Sequence, residues 1–179
     1  TGTPTSLPVT TAKPGDIVFN EVMAQPVSGG SEWVELLNRT GAEITLQGWT
    51  VWDNLGHDPL SSFHLASGGF VVVAANSDAF RAAFPAFDGL LIGIADGEIG
   101  NGLANTADML VLVDGAGTVI DAVNWGPPSL TWANYVTYSA TLWTPGVTAA
   151  GSGKTIGRNA LGSDSDRATD WTANQSASP

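Results

Sequence analysis

The chain has 179 residues, 17 of them acidic and six basic, for a net charge of −11. Such a field repels phosphate backbones and anionic headgroups, and no Lys/Arg cluster offsets it, which argues against nucleic-acid and membrane-surface partners. There is no cysteine to form a disulfide, thiol nucleophile or Cys-ligated metal site, and no apolar run is long enough to span a membrane.

A hydrophobic content of 43% with 13% charged residues fits a globular domain, and 22 Gly with 10 Pro fit the many turns of an all-β architecture. Residues 1–14 are rich in Thr, Pro and Ser and read as an extended linker or spacer. The domain is expected over 15–175, with 176–179 a short tail. The chain starts without an initiator Met or a signal peptide, which reads as a mature or trimmed chain.

"DIVFNEVM" opens the strand pattern, with Ile17, Phe19, Glu21 and Met23 expected on one face and Val18, Asn20 and Val22 on the other. After the "QPVSGGS" turn, "EWVELLN" puts Val34 and Leu36 on one face and Trp33, Glu35 and Leu37 on the other. "ITLQGWTVWDN" contains a short strand ending at Trp52–Asn54, with Gly48 a candidate bulge, and "LGHDP" reads as a turn. "SSFHL" is a short strand, and the apolar run "FVVVAAN" suits a central one.

"SDAFRAAF", 77–84, is the one credible helical turn. Ser77 or Asp78 is expected to cap it, Phe80 and Phe84 share a face, and Pro85 stops it. "GLLIGIA" reads as a strand and "DGEIGNGLANTAD" as a loop. "MLVLVD", the "GAG" turn and "TVIDAVNW" read as a hairpin. An irregular aromatic stretch follows, and "KTIGRN" and "DWTA" flank an acidic loop. Many short strands, close turns and a single helical turn predict a β-sandwich.

The order "GDIVFNEVM…SEWVELLNRTGAEITLQGWTVWD…GGFVVVAAN…GNGLANTADMLVLVDGAGTVIDAVNWG…TIGR…DSDRATDW" resembles the lamin tail domain in its bacterial form, over about residues 15–173. The resemblance implies an immunoglobulin-like β-sandwich and a non-catalytic accessory module of secreted or cell-surface bacterial proteins, often beside hydrolases. Its partner would be another protein or a catalytic domain of the parent protein. The 127–153 segment is longer than this pattern leads one to expect.

Several constellations compete with that reading. If the first two strands pair, Glu21 and Glu35 approach as a candidate carboxylate pair, and a hydrolase would draw on Glu21, Glu32 or Glu35; polar strand faces and single buried acids are commoner. Asp164, Asp166 and Asp170 in "GSDSDRATD" are calcium candidates, although the EF-hand spacing fails, and "DGEIGN" (Asp96, Glu98, Asn101) is a similar one. His57 and His64 lack metal-site spacing and read as surface turn residues. "GNG" and "GAG" are turn chemistry, since neither opens a helix. Of the seven tryptophans, Trp33, Trp49, Trp52 and Trp171 read as packing. Trp125, Trp132, Tyr135, Tyr138 and Trp143 are the binding candidates, as a ring platform for a polysaccharide or anchors for a protein. No cofactor is expected apart from the calcium option.

Overall fold

The computed structural model describes residues 12–129 and 143–179. Most of the 1–14 spacer lies outside the described residues, as do Trp132, Tyr135 and Tyr138. The strands are β1 (Ile17–Met23), β2 (Trp33–Asn38), β3 (Ile44–Thr45), β4 (Thr50–Trp52), β5 (His57–Pro59), β6 (His64–Leu65), β7 (Phe70–Ala74), β8 (Leu90–Gly93), β9 (Asp108–Val113), β10 (Val119–Trp125), β11 (Thr155–Arg158) and β12 (Trp171–Gln175). One helix, α1 (Ser77–Ala83), lies between β7 and β8.

A six-stranded sheet runs β12-β11-β1-β2-β7-β8, a four-stranded sheet runs β10-β9-β4-β5, and β3 pairs with β6. The β7–β8 pairing is parallel, which the intervening helix makes possible. The others are antiparallel. This is the immunoglobulin-like all-β sandwich that the residue pattern and the resemblance predict.

The two sheets bury one continuous core. Phe19, Val34, Leu36 and Val73 of the larger sheet belong to the same cluster as Val51, Leu110, Leu112 and Trp125 of the smaller. Each such side chain removed from water contributes about 1.5–3 kcal/mol before conformational entropy is charged against it. The apolar alternation of β2 falls as expected, with Val34 and Leu36 inward.

The alternation of β1 does not. The β1–β2 register shifts between Phe19 and Glu21, so Val22 joins Ile17 and Phe19 in the core, while Glu21 and Met23 turn outward. The cause is a β-bulge at Asn20, where an extra residue moves everything after it to the opposite face.

The outer face of the six-stranded sheet carries a second apolar cluster of Met23, Trp33, Val72, Ala74 and Phe80, with Phe84 and Phe87 packed on it. Trp33 meets the rings of Phe80 and Phe84 edge-on, both at 5.9 Å between centroids. So the sheet is covered on both sides at this end. Trp33 therefore packs under α1 and not between the sheets. The helix cap is Asn76, whose side chain accepts from Ala79 N at 2.9 Å, in place of Ser77 or Asp78.

Two further boundaries differ from the sequence reading. "ITLQGWTVWDN" holds two strands, β3 and β4, in different sheets; Gly48 at φ +73° turns the chain between them. "HDP" is strand β5, because β4 supplies its ladder partners despite the turn-like composition.

Candidate functional site

The carboxylates largely explain themselves as anchors of loops. Asp53 is fully buried and accepts from Leu55 N (2.7 Å), Gly56 N (2.6 Å) and Asn101 N (2.7 Å). Asp58 takes Gly100 N at 2.6 Å and Glu32 takes Leu103 N at 3.0 Å. Asp108 takes Ala104 N and Met109 N at 2.7 and 2.8 Å. Four acids thus hold the 96–108 loop by backbone N–H groups that no strand ladder satisfies. Gly100 has φ +66°, and a Cβ there would run into the Asp53 carboxylate.

Burial raises the carboxyls of Glu32 and Asp58 and pushes Asp108 up to about 6, with the backbone N–H groups pulling the other way. Glu32, a candidate acid in the sequence, is one of these anchors. Asp53→Ala leaves three backbone donors without their acceptor and is expected to destabilise by about 2–4 kcal/mol in urea unfolding. A loss under about 0.5 kcal/mol would mean that water replaces the carboxylate.

A second cluster joins the two sheets. Asp121 of β10 and Arg158 of β11 are both buried, and the guanidinium reaches the carboxylate at 3.0 Å. Arg158 also donates to Phe19 O (2.7 Å), Ser163 O (2.6 Å) and Asp164 (3.2 Å), and lies 4.8 Å from the Trp171 ring centroid. Asp121 in turn accepts from Phe19 N at 2.7 Å. Burial raises the Asp121 carboxyl, and the Arg158 charge opposes that rise.

Two of the calcium candidates, Asp164 and Asp166, gather here with Asp121 within 4.8 Å. Arg158 and Arg39 already place positive charge on Asp164. Asp170 is turned elsewhere, accepting from Ser165 N and Ser165 Oγ, both at 2.7 Å. Asp96 accepts from Glu98 N at 3.2 Å as a turn residue.

The third feature is a cleft of about 790 Å³ on the outer face of the six-stranded sheet. It is lined by Asn20 and Glu35, by Phe70 and Val72 of β7, and by Phe84 and Phe87 beside α1. Glu35 sits opposite Glu21 in the β1–β2 ladder and opposite Val72 in the β2–β7 ladder. Its Oε1 accepts from Asn20 Nδ2 at 2.8 Å, and no other donor reaches it among the described residues. Burial, opposed by that bond and reinforced by Glu21, pushes its carboxyl up to about 7.

Glu21 does not share the cleft. It opens into a separate recess of about 130 Å³. Its oxygens are taken by Thr155 Oγ1 (2.6 Å), Ser178 N (3.2 Å) and Ser178 Oγ (3.1 Å), the last two from the segment read as a tail. Its pKa is raised by burial against those bonds. The two glutamates are thus backbone neighbours with different surroundings.

Of the aromatic candidates, Trp125 is 1% exposed and donates from Nε1 to Ala104 O at 2.9 Å. It packs the sandwich and offers no face to a sugar. Trp143 is half-buried against the core, its backbone held by Asn124 through bonds of 2.8 and 3.1 Å. His57 stacks on Trp52 at 4.1 Å, and His64 contacts Glu43 and Thr45 at the surface.

The family model described as Lamin Tail Domain matches residues 10–127, more than half of the chain. The chain belongs to the lamin tail domain family. That family is one of immunoglobulin-like, generally non-enzymatic modules, which agrees with a sandwich whose acids mostly anchor loops. In this lamin tail domain β11 and β12 lie beyond the matched residues, yet they complete the larger sheet beside β1. No curated protein matches the chain significantly.

The bulge at Asn20, which brings that side chain onto Glu35, escaped the sequence reading. Two adjacent polar residues, Asn20 and Glu21, inside an otherwise apolar run were its signal.

Proposed function

We propose that this lamin tail domain is a non-catalytic binding module of a secreted or cell-surface bacterial protein. It holds that protein to a protein partner, or positions the parent protein's own catalytic domain. Contact is made by shape-complementary loops and sheet faces, with no bond chemistry.

The observation that carries this reading is the division of the candidate acids. Glu32 is tied to Leu103 N, Glu21 to Thr155 and Ser178, and only Glu35 lines the open cleft. Hydrolysis by paired carboxylates needs two such groups facing one bond; of the three glutamates only Glu35 reaches the cleft, and the other acid in its lining, Asp88, is exposed to solvent, which suits recognition. Membership of a generally non-enzymatic family points the same way.

Deleting residues 15–175 from the gene product in its host tests this. The expected result is loss of the product's association with its partner or surface, with the turnover of any accompanying catalytic domain unchanged. Turnover abolished by the deletion while association persists would overturn the reading.

A further inference from the structure

The cleft beside α1 has polar content of one sign. Glu35 is in its lining with Asp88 near the rim, and no Lys or Arg lines it. Arg158, which lines the neighbouring recess with Glu21, is committed to Asp121. The remaining lining is mostly apolar, and two of its members present large surface to solvent: Phe70 is 38% and Leu161 73% exposed.

Glu35 itself is 5% exposed. Asn20 satisfies one of its oxygens, and among the described residues nothing donates to the other. A buried carboxylate with a vacant acceptor in an apolar-walled cleft calls for a donor that carries positive charge and an apolar body. The volume of about 790 Å³ suits a side chain together with its neighbours.

We propose that this cleft binds a lysine side chain presented by a partner protein, with the ammonium on the vacant oxygen of Glu35 and the methylene stem along Phe70, Phe84 and Phe87. Lysine fits better than arginine for a geometric reason. Asn20 already takes one site on one carboxylate oxygen, so a two-pronged guanidinium would have to share that oxygen with it, while a compact ammonium needs only the other. The chain's net charge of −11 draws a basic partner towards it from a distance.

Binding is coupled to the ionisation of Glu35. Its carboxyl titrates near 7 in the free protein, and an ammonium partner requires it charged. The charged groups around it are Glu21 from β1, which raises its pKa, with Asp88 after α1 and the C-terminal Pro179 in the cleft lining; Asn20 and Ser178 are neutral, β7 presents Phe70 and Val72, and the end of α1 presents Phe84. Lysine keeps its own proton throughout this range. The affinity therefore falls as the pH drops through 7, by about tenfold between pH 8 and pH 6.

This deepens the reading of the domain as a protein-contact module and rests on it. The test is an NMR titration with acetyl-Leu-Leu-Lys-Leu-amide and with a twin in which norleucine replaces lysine, at pH 8 and pH 6. The lysine peptide is expected to shift the amides of Asn20, Glu35, Val72, Phe84 and Phe87, and to bind about tenfold or more tighter than its twin. Glu35→Gln is expected to abolish that preference and its pH dependence. The glutamine variant is expected to be the more stable protein, so lost binding does not report misfolding.

Equal binding of the norleucine twin, unchanged binding to Glu35→Gln, or shifts confined to another face would overturn the proposal. Self-association of the free domain that Glu35→Gln removes would also overturn it, by making a second copy the occupant. Any of these leaves the deletion phenotype intact, so the site and the module reading fail separately.

Discussion

Arg158→Leu is expected to lower the unfolding free energy by about 3–5 kcal/mol, because it strands a buried carboxylate. The guanidinium satisfies Phe19 O, Ser163 O, Asp121 and Asp164 together and lies over Trp171. Leucine replaces none of those donors. Asp121 keeps only its neutral backbone donors and must either stay charged in the interior or take up a proton.

Arg158→Lys keeps the charge and loses the fork, so it is expected to fall between wild type and leucine. Asp121→Leu combined with Arg158→Leu is expected to recover much of the single-variant loss, since both charges leave together. Denaturant unfolding at pH 7 measures all of these. A single-variant cost under about 1 kcal/mol would show that Arg158 is solvated and that the pair does not hold the sheets together.

Glu35→Gln is expected to stabilise the domain at high pH. The folded carboxyl titrates near 7, against an ordinary value of 4.5, because burial disfavours its charge. Between those values the folded state keeps a proton that the unfolded chain has released. The stability contributed by the neutral form is therefore full below about pH 4.5 and is lost as the pH rises through 7.

Glutamine stays neutral and can still accept from Asn20. The variant should match wild type near pH 4.5 and exceed it by on the order of 2–3 kcal/mol above pH 8. Glu21, Glu32 and Asp108 are raised as well, so the pH slope of wild type alone does not isolate Glu35. The difference between the two proteins does. A difference that stays flat from pH 5 to pH 8 would mean that Glu35 is solvated through the cleft.

Much of the architecture was legible because periodicity and turn chemistry agree. "EWVELLN", "FVVVA" and the hairpin "DMLVLV…TVIDAVNW" each carry a strand signal bounded by turn residues, and each forms its strand. Where local preference and tertiary demand diverge, the reading fails. "HDP" has turn composition and becomes a strand because β4 offers a ladder. Asn76 takes the helix cap from its neighbours because that position has the extended backbone a cap needs.

The candidate site was half legible. The Glu21–Glu35 proximity follows from pairing the first two strands, and their cross-strand register confirms it. That the two carboxyls open into different recesses depends on Ser178, more than 150 residues away in the chain, and no local pattern encodes that contact. Likewise Asp121 and Arg158 belong to separate sheets, and neither residue's own neighbourhood announces the other.

The bulge at Asn20 also bears on how related chains are compared. Past that residue, β1 is out of phase with simple alternation. A relative lacking the extra residue would keep simple alternation, with its counterpart of Glu21 still facing outward opposite the acid of the next strand but with no extra side chain beside it. The presence or absence of a residue at the Asn20 position therefore reports whether the strand is offset, and with it whether an amide stands ready beside the carboxylate on the next strand. Diversity among such domains can be sorted at this single column, before any of their three-dimensional structures is known.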